Sequence, residues 1–475
     1  MKNKIKLFGA QRLLPTKHTA WRLSLVLLVL FTACTKQYDD ENDFRVAPLD
    51  GGKSVEITSY VGTKQTVNIP PRLQKMPVTG IRERAFYEKE IISVTIPNGI
   101  TTIGNEAFAN NQLISVSIPN SVTTIGGKAF SENQLISVTI PNSITTIGNE
   151  AFAYNQLNSI TIPKSVTSIG LGAFAGNPLT SVNFDAGVVI AYVAGIVGLE
   201  KNEKATLWKN GIPITLSDIQ SWANSVYVSS SDVYVAGSVG QEGDERATLW
   251  KNGIPQTLND TQSSAESVYV SGSDVYVAGA IGQEGDERAT LWKNGVPQSL
   301  SNSRSWINTI YVSSSDVYAT GWVGQDQNQR ATLWTNGVPQ TLSNSRSWTR
   351  SVFVTGRDIY VTGYTGQNEN ATLWTNGVPQ TLNNSRSRAR SVFASGSDVY
   401  VVGTVGQEAT IWKNGVQQSL SDTLSWADSV YVFGSDVYVA GILLQGQNLR
   451  ATLWKNGVPQ ALSNSRSWAY SVFVK

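Results

Sequence analysis

Cysteine and histidine are almost missing: the 475 residues contain one of each, Cys34 and His18. These residue types supply most transition-metal sites, thiol nucleophiles and general bases that work near neutral pH. Beyond residue 34, zinc modules, disulfide scaffolds, Cys-His proteases and Ser-His-Asp hydrolases therefore have nothing to build on. Charge is scarce too, at 15% of residues, with 37 basic against 35 acidic side chains. A net charge of +2 gives no case for nucleic acid or an anionic membrane surface as partner. The length predicts two to four domains at roughly 100–200 residues each.

The N-terminus carries Lys2, Lys4, Lys6, Arg12, Lys17 and Arg22 with no acidic residue, followed by an apolar run from Leu23 to Ala33. That run is too short to cross a bilayer, which takes about 20 residues in a helix. A basic region, a short apolar region and a small residue at the exit read as a secretory signal peptide over 1–33. Leu30-Phe31-Thr32-Ala33-Cys34 resembles a bacterial lipobox, with Phe31 where that family prefers leucine. The resemblance implies cleavage before Cys34, lipid attachment to it, and contact with the membrane through that lipid only. Thr35 in place of the aspartate of inner-membrane retention favours the outer membrane. Residues 34–52 include Lys36-Gln37-Tyr38-Asp39-Asp40-Glu41-Asn42-Asp43 and are expected to form a flexible acidic tether. The acidic run also looks like the export signal of surface lipoproteins in Bacteroidetes-type bacteria, which implies display at the cell surface.

Internal repetition sets the fold from residue 53 onward. Phe86, Phe108, Phe130, Phe152 and Phe174 recur every 22 residues, each preceded by alanine. In one unit Leu113, Val116 and Ile118 turn inward along a short strand that Pro119 ends, and Val122, Ile125, Ala129 and Phe130 supply the opposite wall. No unit can bury that set alone, so the units must stack. The pattern is similar to BspA-like leucine-rich repeats, commonly bacterial surface proteins that bind host or bacterial partners, and places a solenoid at 53–184. Residues 60–80 read as a degenerate cap. Asn111, Asn133, Asn155 and Asn177 read as an internal hydrogen-bonded ladder. The exposed strand face offers Ile92, Ile114, Ile136 and Asn158, with Ser115 and Ser117 beside them, as an uncharged candidate surface for a protein or peptide; plain β-propensity accounts for the same residues equally well.

Residues 185–475 repeat differently. Trp208, Trp250, Trp292, Trp334, Trp374, Trp412 and Trp454 each precede Lys-Asn-Gly or Thr-Asn-Gly at spacings of 38 to 42. Each unit holds four short strands, with Asn-Gly as a tight hairpin turn, which is the pattern of a β-propeller blade. The first unit lacks its first strand and the chain ends on one, Ser471-Val472-Phe473-Val474. Joining the two predicts a seven-bladed ring closed by the C-terminal strand. The unit resembles kelch-type propellers in length, without their Gly-Gly pair. Ser231-Asp232 and its counterparts read as hairpin-turn residues.

On one propeller face the loops predict a rim of Trp222, Trp306, Trp348, Trp426 and Trp468 with Arg304, Arg346, Arg386 and Arg466. Such a rim suits sugar stacking or a peptide anchor. Recurrence in phase favours the structural alternative, in which each tryptophan wedges between blades. The acidic loops are expected to pair with the arginines. Near-identical blades place like groups around a ring, and no out-of-phase acid–base cluster is evident, so the chain is read as non-enzymatic, with no cofactor, metal or catalytic residue assigned. Glu242, Asp244, Glu284 and Asp286 would be the first acids to test. The expected function is binding or adhesion to a protein or glycan by a surface lipoprotein; a glycan-binding accessory protein or periplasm-facing scaffold is the alternative, and a propeller glycosidase ranks behind both.

Overall fold

The computed structural model describes residues 37–475 apart from Glu200. The expected signal peptide and the Cys34 anchor lie outside the described residues. Within them the chain is mainly β, a solenoid followed by a seven-bladed propeller. Among the described residues no helix is long and apolar enough to cross a membrane.

In the solenoid, strands Ser93–Thr95, Ser115–Ser117 and Ser137–Thr139 stack in parallel on Thr66–Asn68. Two-residue strands Thr102–Ile103, Thr124–Ile125 and Thr146–Ile147 form the second wall. Between the walls Phe86, Phe108, Phe130, Phe152 and Phe174 stack with ring centroids 4.8 to 5.4 Å apart. The asparagines form the expected ladder. Asn133 donates to Phe108 O, Phe130 O and Ser131 O while its Oδ1 accepts Leu113 N at 3.0 Å, so one buried side chain satisfies backbone groups of two neighbouring repeats.

The tether expectation needs correction from Asp39 onward. Asp39 accepts Asn68 N and pairs with Lys64, both at 2.7 Å. Strand Phe44–Leu49 pairs antiparallel with Ser54–Tyr60. Phe44 is 5% exposed, with its ring 5.5 Å from Tyr60 and 6.4 Å from Phe86. The open end of a phenylalanine stack needs an apolar lid, and the alternating Phe44-Arg45-Val46 that follows the acidic run provides one. The cap therefore begins about twenty residues before the degenerate unit at 60–80.

Each blade is a four-stranded antiparallel sheet. The first consists of the C-terminal inner strand Ser467–Val474, then Ala191–Val197, Lys204–Lys209 and Ile212–Thr215. The ring is thus closed by the last strand, as the repeat ends predicted. The recurring tryptophans from Trp208 to Trp454 are almost completely buried and anchor the blade cores. Asn252 and Gly253 have φ of 53° and 81°, the left-handed pair that a two-residue hairpin of this kind requires.

Every inner strand contains a β-bulge at the same place. In the second blade Ala223 pairs with Gly237 and Ser225 with Ala236, leaving Asn224 as the extra residue. The bulge presses the inner backbone onto the second strand, where only glycine fits: a Cβ on Gly321 would collide with the carbonyl oxygen of Trp306.

Candidate functional site

Seven bulges on seven inner strands aim seven side chains at the propeller axis. Counted from the closing blade these are Tyr470, Asn224, Glu266, Asn308, Arg350, Arg390 and Asp428. They line one cavity of about 320 Å³. Their neighbours repeat almost without change, yet this position holds a phenol, two amides, two carboxylic acids and two guanidiniums.

The layers beneath explain the pocket. The next residue is serine or threonine in every blade, and it stitches the ring: Ser225 Oγ accepts Val268 N, Ser267 accepts Ile310 N, and Ser471 accepts Val226 N across the closing junction, at 3.2 to 3.3 Å. Two residues further along, Tyr227, Tyr269, Tyr311, Phe353, Phe393, Tyr431 and Phe473 form a complete collar with adjacent centroids 4.6 to 5.0 Å apart. Burial pushes the Tyr431 phenol up to about 12, so the collar stays uncharged at any ordinary pH. The collar lies two residues further along each inner strand than the stitching hydroxyls and forms an aromatic floor beneath the polar funnel.

The expectation that no unlike groups converge is therefore wrong. Arg390 pairs with Asp428 at 2.6 Å. Glu266, three blades from Asp428, accepts a hydrogen bond from Ser264 at 2.5 Å, and burial pushes its carboxyl above the usual range despite that bond. Arg350 contacts Asn308 Oδ1 at 3.4 Å and has no ion-pair partner among the described residues. Crowding by protein, then the charge of Arg390, lowers its affinity for a proton. Its side chain is still open to solvent, as a funnel wall should be. Two asparagines are partly occupied elsewhere: Asn224 and Asn308 donate to Ala265 O and Thr349 O of the following blades.

The predicted rim lies on the same face, further from the axis. Trp222, Trp306, Trp348, Trp426 and Trp468 are half-buried on the inner strands, each two residues before the extra residue of its bulge. Arg346 lies over Trp348 at 4.4 Å and Arg466 over Trp468 at 4.9 Å, so these arginines cover the tryptophan faces. Trp348 also packs on Tyr364 of its own blade, with centroids 4.9 Å apart. Arg304 instead bonds Glu287 at 2.8 Å and Asp326 at 3.2 Å. Burial would raise the Glu287 carboxyl, but the Arg304 bond and backbone donors hold it below its ordinary value. Arg386 is largely exposed near Glu369. Trp222 and Trp306 flank a second cavity of about 540 Å³ lined by Glu242, Glu245, Glu284 and Glu287, and by Glu266, which it shares with the axial funnel. Asp244 and Asp286 sit outside it, beside Arg246 and Arg288. Among the described residues no group of three or more acidic side chains is arranged to hold a metal ion.

On the solenoid Ile92, Ile114 and Ile136 are 39%, 46% and 60% exposed, each immediately before one of the stacked parallel strands, with Ser115, Ser117 and Asn158 exposed around them. The structure brings these residues together as one apolar row.

Sequence reasoning passed over the axial ring because it followed residues that recur. The signal was the opposite: within Ser-Trp-Ala-x-Ser-Val-Tyr-Val, x changes chemical class from blade to blade, more often than the tryptophan position, which is Ser264 and Arg388 in two blades.

A leucine-rich solenoid joined to a seven-bladed propeller, with exposed repeat surfaces and an axial funnel, defines a repeat-based binding protein. Residues 79–192 match the model of the BspA type leucine rich repeat region in six copies. No curated protein matches the chain. Among solved structures it is similar to a leucine-rich repeat protein of T. pallidum, at 26% identity over 31% of this chain and 71% of that one, with a TM-score of 0.28. A leucine-rich repeat protein from Bacteroides ovatus shares 30% identity over 31% of this chain and 40% of its own, with a TM-score of 0.28. The propeller is similar to the β-propeller domain of the Trilobed protease from Pyrococcus furiosus, at 9% identity over 59% of this chain and 94% of that one, with a TM-score of 0.39.

Proposed function

We propose that this chain is a non-enzymatic recognition lipoprotein, anchored through Cys34 in the outer membrane and displayed at the cell surface, where its propeller captures a protein or glycan partner. The observation that carries the reading is the axial ring. Residues that hold the propeller together recur from blade to blade, whereas the layer that faces the axial funnel carries a phenol, amides, carboxylic acids and guanidiniums in turn. Binding fits this ring better than catalysis, because Asp428 is committed to Arg390 and Glu266 stands three blades away. The lipobox-like segment and the acidic run support the anchor and the outward display.

A protein partner on the solenoid is a second reading, favoured by the exposed isoleucine row. Pull-down and glycan-array screens on the full chain separate the two. Loss of glycan capture in Trp306→Ala or Trp348→Ala, with the fold intact, places the partner on the propeller rim; loss of protein capture in Ile114→Ser with Ile136→Ser places it on the solenoid. Protease shaving of intact cells tests display, and labelled fatty acid incorporation lost in Cys34→Ala tests the anchor. A chain that shaving leaves intact on whole cells but degrades after lysis would sink the surface claim. Hydrolysis of a glycan panel that Glu242→Gln abolishes would overturn the non-enzymatic reading.

A further inference from the structure

Four of the seven axial positions carry a charged side chain: Glu266, Arg350, Arg390 and Asp428. Arg350 and Arg390 lie side by side on adjacent blades, and Glu266 stands two blades from Arg350 around the ring. Arg390 is already paired through Asp428 at 2.6 Å, although its Nε remains buried without a partner. Arg350 is the cation left over. Its only hydrogen-bond acceptor among the described residues is the amide oxygen of Asn308 at 3.4 Å, too long to satisfy a guanidinium. Its backbone, by contrast, is fixed: the Thr309 hydroxyl donates to Arg350 O, and the bulge holds its Cα at the funnel wall. An anchored guanidinium with free donors, facing a small cavity, matches a planar two-oxygen anion. Two blades around the funnel, Glu266 has Ser264 as its hydrogen-bond partner among the described residues and offers an acceptor for a hydroxyl or amine. The cavity, at about 320 Å³, lies at the lower end of small-molecule sites.

We propose that the axial funnel binds a small molecule carrying a carboxylate at one end, gripped by Arg350, and hydrogen-bond donors at the other, received by Glu266. This deepens the reading of the propeller as the binding domain and rests on it. An acidic monosaccharide and the C-terminal end of a short peptide share that chemistry.

Titration calorimetry of the full chain with four probes tests the assignment: D-glucuronate, D-glucose, glycylglycine and its C-terminal amide. At least one carboxylate binds about tenfold or more tightly than its neutral counterpart, and Arg350→Gln removes that preference, since a charge-assisted bond contributes at least about one such factor. A response to glucuronate alone identifies an acidic sugar; a response to the dipeptide alone identifies a peptide end. Glu266→Gln weakens binding while keeping the preference for the acid. Should the glutamine variant at 350 melt early, Arg350→Lys keeps the charge without the planar fork and shows a partial loss. Equal binding of acid and neutral probes, or an unchanged affinity in both Arg350 variants, overturns the proposal. If neither carboxylate binds while the full chain still captures partners in the screens above, the ligand assignment alone is wrong. If capture fails as well, the binding reading falls with it.

Discussion

At the scale of single residues, most of what recurs is structural, and the Ser-Asp pairs show how. Asp232 accepts Asn252 Nδ2 at 2.9 Å and pairs with Lys251 at 2.8 Å, which lies over the Tyr234 ring at 5.4 Å. The clasp ties the hairpin between the first two strands to the one between the last two. The Lys251 and Asn252 bonds hold the Asp232 carboxyl below its usual range, and the Asp232 bond raises Lys251. Asp274, Asp398 and Asp436 are lowered in the same way by Lys293, Lys413 and Lys455. A depressed folded value means that the carboxylate's contribution is complete above the ordinary value near about 4 and fades as pH falls through the folded one. The raised lysine contributes fully below its unfolded value and fades as pH rises through the folded value, so the clasp is intact across the whole neutral range. Two other blades carry Thr335 and Thr375 where the lysine would be. Carbon-detected NMR titration should find Asp232 ionised to a lower pH than a free aspartate, and Lys251→Thr should return it part of the way. With all of these groups on the surface, melting temperatures should barely move. An Asp232 that titrates like a free aspartate in the parent protein would show that the clasp does not persist in solution.

At the scale of elements, repeat ends and repeat interiors were unequally legible. The 22-residue and roughly 40-residue periods announce stacked strands and blades because each unit must bury the same face against its neighbour. The missing first strand and the surplus last one announce ring closure for the same reason. The axial site was hidden by a local break in alternation. Val226 and Val228 are buried, and strict two-residue alternation extended backwards would bury positions 224 and 222 as well. The buried positions are instead Ala223 and Ser221. The phase slips at the bulge, which turns residue 224 and its counterparts toward the axis. Small residues before the slip and β-branched ones after it were the visible trace. The N-terminal hairpin was missed on other grounds: the acidic run dominated the composition of 34–52 and masked Phe44. Closure itself is testable at this scale. Residues 469–475 carry Val472 and Val474, 4% and 1% exposed, the collar ring of Phe473 and the Ser471 stitch to Val226. Deleting them strips two buried valines of about 1.5–3 kcal/mol each and reopens a sheet edge on Ala191–Val197. Calorimetry of that truncation should show the propeller transition lowered by about 5–10 °C, the equivalent of roughly 3–6 kcal/mol, with the solenoid much less affected. A propeller transition at the parent temperature would refute closure by this strand.

At the scale of the whole molecule, the first blade is the exception that shows how the two repeat arrays meet. Outer strands elsewhere are exposed along their length, with Ile254 at 72% and Val296 at 68%. Their counterpart in the first blade, Ile212, is 2% exposed, and Ile214 is 9% exposed. Both belong to the apolar cluster that contains Leu179 and Val182 of the last solenoid turn. Lys209 Nζ donates to Val182 O at 2.6 Å, and burial lowers the affinity of that amine for its proton. Asn464, on a loop of the seventh blade, reaches Glu150 at 2.6 Å. The solenoid thus covers the one outer strand that carries apolar residues at both alternate positions, and the repeat supplies its own control for that contact. Ile212→Lys puts a charge into the covered site and forfeits about 2–3 kcal/mol of burial, whereas Ile254→Lys changes a side chain already in water. The first should speed limited proteolysis within residues 185–190 and lower the temperature at which the two arrays unfold, and the second should do neither. Identical proteolysis and melting in the two variants would mean that the arrays are tethered rather than docked, and the recognition surfaces of solenoid and propeller would then have to be treated as independent in space.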